Sequence, residues 1–384
     1  MNLAFKDIRF NPLRFLLTAL GVGFLMMSAM GMVGLYRGIV ADALLVIQHI
    51  GADLWVVQGG RRGPFSEGSA ISYSMDRRAE GLAGVAGTRR FVQFSQQFTV
   101  RGQQLRASVT GLDFPKDQGR WIPMLGGRRL SSGHYEAVAD ESIGLVLGES
   151  VHLGEDDYTI VGLAQGMVDI SGDGILFVSI NDAVAIAERR TSEEVLLARG
   201  SAGPAAANRS SVPQDSKIAA VLVRLNPAVD PGTVRRALSS WGDVSVLSRA
   251  EQEDLLLNQR LWRLRVQILA FTGVLLAVTG IVVSLIIYML TMEKLHEIAM
   301  LKLIGADNSV IILMIAQQAF LIGAAGLTLG LMLSQVVFPF FPRKVLILPQ
   351  DVGLLGGAVA LICALASLIG ISRALKVRAQ EILS

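Results

Sequence analysis

The chain has 384 residues, 52% of them hydrophobic and only 17% charged, a composition that excludes an ordinary pair of soluble domains. The formal net charge of +3 is carried by basic residues scattered singly or in pairs such as Arg61-Arg62, Arg89-Arg90 and Arg128-Arg129. No basic stripe forms, which argues against a nucleic-acid partner.

A short segment, residues 1–14, carries Lys6, Arg9 and Arg14 and leads into an uncharged run from Phe15 to Tyr36. A helix needs about 20 apolar residues to cross a hydrocarbon core of about 30 Å, so this run is a first membrane span. It is longer than the apolar region of a signal peptide, and Arg37-Gly-Ile-Val-Ala-Asp-Ala-Leu continues a helical pattern, so it reads as an uncleaved anchor. Met26, Met27, Met30 and Met32 would suit Cu(I), but at this spacing they read as lipid-facing or packing residues.

Residues 37–265 read like a soluble module of the α+β class, inserted between the first and second spans. Strands are expected at Asp53-Leu-Trp-Val-Val-Gln, Phe91 to Val100, Leu105 to Leu112, Tyr158 to Leu163, Ile175 to Ile180 and Ile218 to Leu225. Helices are expected from Asn181 to Arg190, with Asn as N-cap, and from Pro231 to Trp241. Residues 191–217, rich in Ala, Ser, Gly, Asn and Pro, form a flexible loop in this reading. Ser248 with Glu251 makes a capping box, and the helical pattern then continues through Leu255, Gln259 and Trp262. Helical stalks at 37–48 and 248–265 would tie the module to the bilayer. Trp55, Phe65 and Trp121 could line a site but read first as core, and the substrate-contacting residues are not legible.

The second, third and fourth spans run from Val266 to Leu290, from Ser309 to Phe338 and from Val352 to Ser372, none with Asp, Glu, Lys or Arg. The short loops are residues 291–308 and 339–351, and the tail is 373–384. Lys6, Arg9, Arg14, Lys294, Lys302, Arg373, Lys376 and Arg378 gather on one side, against Arg343 and Lys344 on the other. The positive-inside rule then puts both termini in the cytoplasm and the α+β module outside. Gly326 and Gly330 in the third span, and Gly353 and Gly357 with Ala360 and Ala364 in the fourth, are spaced for close helix packing, although glycine is common in membrane helices generally.

Chemistry is sparse. No Gly-x-x-x-x-Gly-Lys-Ser/Thr run occurs, so any ATP and Mg would be held by another polypeptide. His49, His134, His152 and His296 lack metal-ligand spacing, and the single cysteine, Cys363, allows no intrachain disulfide. The spans hold no carboxylate or histidine for ion coupling, which argues against a secondary transporter. No catalytic residue, bound cofactor or metal is expected.

The informative loop is Thr291-Met-Glu-Lys-Leu-His-Glu-Ile-Ala-Met-Leu-Lys-Leu-Ile-Gly-Ala-Asp. It is expected to form a short amphipathic helix with Leu295, Ile298 and Leu301 on one face, Glu293 and Glu297 a turn apart, and Gly305 as the stop. Composition alone leaves two readings, a membrane-surface helix able to dock a partner and a solvated connector.

This segment resembles the Arg-Glu-Ile-Gly-x-x-Lys-Ala-Leu-Gly-Ala signature of the MacB/FtsX-type (type VII) ABC transporter permeases, with Glu297, Ile298, Lys302, Gly305 and Ala306 at the matching positions. His296 replaces the usual Arg and Leu303 the small residue. Asn11-Pro-Leu-Arg-Phe-Leu-Leu-Thr-Ala-Leu-Gly-Val is similar to the start of that family's first span, and the layout of one span, external domain and three spans is that of DevC/LolC/MacB-like permease subunits. The family's C-terminal Asp-Pro-x-x-Ala-Leu is replaced here by Arg378-Ala-Gln-Glu-Ile-Leu.

The resemblance implies a homodimer in the bacterial inner membrane, seated on two copies of a separate ABC ATPase, with the loop around Glu297 as coupling helix. Members of the family expel or extract substrates, often with an adaptor protein and an outer-membrane channel. The expected function is the permease of an exporter of an amphiphile; the alternative is an FtsX-like mechanotransmitter that regulates a cell-wall hydrolase without transport. A membrane sensor with passive anchors would leave the signature around Glu297 unexplained.

Overall fold

The computed structural model describes residues 12–189, 216–305, 307–341 and 343–376. The chain divides into two compact units, one made of residues 1–38 and 263–384 and the other of residues 39–262.

In the first unit four helices are long and apolar enough to cross a membrane. Helix α1 is Pro12–His49, continuous past Tyr36, so its last turns belong to the second unit. The remaining three are named below in chain order. The α+β unit follows α1, with strands β1 (Leu54–Gln58) and β2 (Ile71–Ser72), helix α2 (Met75–Glu80), then β3 (Val85–Val100), β4 (Gln103–Leu112), β5 (Met124–Gly127), β6 (Glu136–Asp140), β7 (Ser150–Leu153), β8 (Asp156–Ala164) and β9 (Ile175–Ser179). Helix α3 (Ile180–Arg189), β10 (Lys217–Ile218), β11 (Ala220–Leu225), helix α4 (Pro231–Ser239), β12 (Val244–Ser248) and helix α5 (Arg249–Leu255) complete it.

One mixed sheet organises this unit in the order β12-β1-β11-β3-β4-β9-β6-β8-β5, with β7 on β8. Its long strand β3 serves two neighbours in succession. Thr88 to Phe91 pair antiparallel with Val223 to Ala220 of β11, and Val92 to Val100 pair with Gly111 to Gln103 of β4. Alternation along the strands separates two cores. Val56, Val92, Val109, Tyr158, Leu176 and Val221 fill one, while Trp55, Phe91, Leu112, Phe177 and Leu222 fill the other. Trp55 is fully buried, its ring edge-on to Phe65 and Phe91 at 5.3 and 5.4 Å between centroids, whereas Trp121 is only half-buried.

Local signals held in part. Asp230 caps α4, its Oδ1 accepting from Gly232 N–H at 3.2 Å with Pro231 next. The cap of α3 is Ser179 instead of Asn181: Ser179 Oγ accepts from Asp182 N–H at 3.1 Å, and Asn181 Oδ1 accepts from the Tyr73 hydroxyl at 2.7 Å. The capping box forms as read, Ser248 Oγ accepting from Glu251 N–H and Glu251 Oε2 from Ser248 N–H. The stalk expected over 248–265 is nevertheless broken. After α5 comes a π-helical turn, Leu256–Arg260, in which Leu261 N–H donates to Leu256 O at 3.0 Å. The extra residue in that turn lets both Leu256 and Leu261 bury. Helix α6 begins afresh at Trp262. Nearly all of the expected 191–217 loop lies outside the described residues.

Helix α6 (Trp262–Glu293), a short helix α7 (Leu295–Leu303), α8 (Asn308–Val337) and α9 (Pro349–Lys376) complete the helical unit. Val22 and Met26 of α1 meet Val283 and Ile287 of α6, Ile311, Ile315 and Ala319 of α8, and Val359 and Cys363 of α9 in one buried cluster. Close approach depends on glycine. A Cβ on Gly330 would stand 2.9 Å from the Gly23 carbonyl oxygen, and one on Gly326 2.5 Å from Val22 Cγ1. The packing expected of Gly353 and Gly357 is not found within the chain: a Cβ at either would meet open space, while Gly323 and Gly370 make the tight contacts instead. Phe271, Ile281, Leu285, Leu354, Leu361 and Leu365 stay exposed on α6 and α9, as lipid contact requires. Thr272, Thr279 and Thr291 return their hydroxyl protons to carbonyls four residues back, which satisfies them without water.

Candidate functional site

The segment singled out by sequence stands at one end of the helical unit. Helix α6 passes into α7 with a single turn residue, Lys294, between them. Hydrogen bonding barely pauses, since Lys294 N–H donates to Leu290 O at 3.3 Å and Ile298 N–H to Lys294 O at 2.9 Å. Motion of α7 is therefore tied through the backbone to the second span.

Side chains tie it to the others. Ile298 and Ala299 are 1% exposed, and Ile298 packs in the cluster with Ile287, Ile311 and Ile315. Glu293, His296 and Glu297 are exposed, so the helix presents acidic groups outward while its middle is anchored in the bundle. The expected amphipathic face is only partly present. Leu295 is half-buried, but Met300, Leu303 and Ile304 are exposed at 47%, 58% and 83%, so apolar side chains emerge on more than one side. A helix of nine residues bent against a bundle has too little length for one face to collect them all. The side chains of Leu301 and Lys302, and all of Ala306, lie outside the described residues. Gly305 takes φ +88°, the left-handed conformation of a helix stop, and Asp307 then opens α8.

A second constellation, not foreseen from the sequence, lies where α1 meets the α8–α9 connection. Leu346 N–H donates to Gly34 O at 3.0 Å. A Cβ on Gly34 would come within 2.6 Å of Val345 Cγ1, and one on Gly38 would overlap the Lys344 carbonyl. Arg37, between these glycines, donates through Nη2 to Asp351 Oδ1 at 2.6 Å, with Nε 2.5 Å from Oδ2. Asp351 is the third residue of α9, where the helix dipole favours a carboxylate, and its side chain is 7% exposed. The signal was a charge just outside each span, read as stalk and as loop.

In the α+β unit the strongest polar network centres on Arg90. Asp113, 1% exposed, accepts from Arg90 Nη2 at 2.5 Å, Nε at 3.1 Å and the Arg90 backbone N–H at 2.9 Å. Burial pulls the guanidinium pKa down, but the Asp113 contacts outweigh it and raise it above its ordinary value. Arg128 holds Glu136 at 2.6 Å, and burial opposes but does not prevent a carboxyl pKa of about 2. Ser131 and Ser132 backbone N–H groups add to that depression.

Residues 15–240 match the family model of the MacB-like periplasmic core domain, and residues 269–379 match that of the FtsX-like permease C-terminal region. An uncharacterized ABC transporter permease of Mycobacterium tuberculosis is 23% identical over 376 residues, covering 97% of this chain and 96% of that protein. One from Mycobacterium bovis is 21% identical over 374 residues, 96% and 95% of the two chains. Among solved structures, the periplasmic region of MacB from Actinobacillus actinomycetemcomitans aligns with a TM-score of 0.38 at 14% identity, over 56% of this chain and 96% of that one. The extracellular domain of the ABC-type transporter YknZ aligns with a TM-score of 0.35 at 11% identity, over 51% and 100%. With both family models placed in order along the chain and four spans around the α+β unit, the protein belongs to the MacB/FtsX-type ABC transporter permeases and is a multi-pass membrane protein.

Proposed function

We propose that this permease is the transmembrane subunit of an ATP-driven exporter that expels or extracts an amphiphilic substrate outside a bacterial inner membrane. Two copies would sit on two copies of a separate ABC ATPase, which would supply the ATP and Mg site, and an adaptor protein and outer-membrane channel would complete the path. Both termini would be cytoplasmic, and this chain would perform no covalent chemistry.

The observation that supports the reading is the double character of α7. Its Glu297, and Glu293 at the end of α6, are exposed, while Ile298 and Ala299 are wedged among the spans. Glu293, Glu297, Ile298, Leu301, Lys302, Gly305 and Ala306 together would form the coupling segment. Closure of the ATPases would press on Glu297, and the pressure would reach α6 and α8 through Ile298. Close packing makes such a wedge move as a body instead of deforming.

The test is purification from the native membrane, with the wild type and with Glu297→Lys. A P-loop ATPase that accompanies the wild type and is lost or uncoupled in the variant is the expected result. Absence of any ATPase from the intact complex would overturn the reading. ATPase stimulation by a lipophilic compound would favour export, and dependence on a cell-wall hydrolase would favour the mechanotransmitter alternative.

A further inference from the structure

The α+β unit holds a cleft of about 790 Å³ that the coupling mechanism does not use. Its wall is built from the end of α1, the start of β3, β11 and the loop after β4. Strand pairing explains its shape. Arg224 of β11 sits opposite Gly87 of β3, and paired residues project from the same face. Arg89, two residues on, shares that face. Gly87 leaves open space where a side chain would otherwise fill the floor.

The charges in the cleft do not cancel. Asp117 is committed: its Oδ2 accepts from Arg89 Nη1 at 2.6 Å and from the Trp121 indole N–H at 3.2 Å, and its Oδ1 accepts from Gly119 N–H at 2.8 Å. Glu80 accepts from Lys116 Nζ at 2.9 Å. Arg120 and Arg224 line the same cleft, are exposed, and have no carboxylate partner among the described residues. Two guanidinium groups are therefore left over on a concave surface, next to the half-buried ring of Trp121.

We infer that this cleft binds the anionic phosphate head of a small or amphiphilic molecule, with Arg120 and Arg224 as its ligands and Trp121 as an apolar wall. The planar fork of a guanidinium matches a phosphate, and two of them on a concave wall focus positive potential into the cleft. The volume falls inside the range of about 300–1,000 Å³ usual for small-molecule sites. The inference concerns binding alone and stands apart from the transport reading.

The experiment is isothermal titration calorimetry on the full-length chain in detergent micelles, with three probes: inorganic phosphate, dihexanoyl phosphatidic acid and dihexanoyl phosphatidylcholine. Saturable binding of a phosphate-bearing anion is expected, weakened about tenfold or more by Arg120→Ala with Arg224→Ala and unchanged by Arg101→Ala, whose partner Glu149 is elsewhere. Tighter binding of phosphatidic acid than of inorganic phosphate supports a lipid-like head; equal binding supports a free anion. Unaltered affinity in the double variant, equal binding of the zwitterionic lipid, or silence from both anions would overturn the inference. A thermal melt confirms that the variants fold, and the single substitutions Arg120→Gln and Arg224→Gln replace the pair if it does not.

Discussion

Arg37 and Asp351 are 314 residues apart in sequence and touch at 2.5 Å. They fasten α1 at residue 37 to the first turn of α9, with the Gly34 and Gly38 backbones pressed against the loop before it. Removing one partner of a buried pair costs about 3–5 kcal/mol, and an exposed pair about 1 kcal/mol or less. Arg37 retains 37% exposure against 7% for Asp351, so Asp351→Ala should cost about 1–3 kcal/mol. A double-mutant cycle with Arg37→Ala, read by thermal unfolding in detergent, should show clear non-additivity. Additive losses would mean that the contact carries no energy.

Glycines of identical spacing should behave differently. Gly330→Val pushes a side chain into the Gly23 carbonyl and should destabilise by about 1–3 kcal/mol. Gly353→Ala and Gly357→Ala face open space inside α9 and should leave stability unchanged or raise it by up to about 1 kcal/mol when the melts are compared.

The ion pairs of the α+β unit should separate by burial. Asp113→Ala leaves the Arg90 guanidinium, 17% exposed, with only the longer 3.7 Å contact to Asp76, and should lower stability by up to about 3–5 kcal/mol. Asp243→Ala breaks a pair with Arg78 in which both side chains are about half exposed, and should cost no more than about 1 kcal/mol. Denaturant titration of the two variants checks the order.

Glu136 gives the unit an acid-sensitive limb. Its pKa falls from the ordinary 4.5 to about 2 on folding, so the folded state binds fewer protons between those values. The contribution is complete above pH 4.5 and is lost as pH falls toward 2. Glu136→Gln should be less stable than wild type at pH 6 and should show a shallower loss of melting temperature on acidification through that window. Parallel acid limbs would show that the Arg128 contact does not set the pKa.

The spans were legible because an uncharged run of this length has no soluble counterpart, and Gly305 was legible as a stop because few residues tolerate its φ. Strands were found where β-branched and aromatic residues alternate, and lost where they do not. Glu-Ala-Val-Ala-Asp of β6 favours a helix locally and is a strand because β8 and β9 flank it. The first residues of β3, 85–90, were missed because Gly87, Arg89 and Arg90 interrupt its pattern, and these are the residues that shape the cleft and the Asp113 network. Small-residue spacing identified Gly326 and Gly330 but gave no sign of Gly23, their partner. The same spacing finds no contact within the chain at Gly353 and Gly357, since it marks what allows contact and not which neighbour arrives. Arg37 and Asp351 were out of reach for a related reason: no local pattern joins residues at opposite ends of the chain.

The division of labour along β3 also dictates an order of assembly. Its second half pairs with β4, and the strands from β4 to β9 follow in one unbroken stretch of chain, so that portion can close its hydrogen bonds before the later strands exist. Leu54, by contrast, must wait for Val223 and Ser248 before it has a neighbour on either side. Until then β1 and the first half of β3 present bare strand edges, the kind of surface that pairs with the wrong chain. The newborn permease therefore passes through a half-built stage in which its earliest strand is the last to be protected.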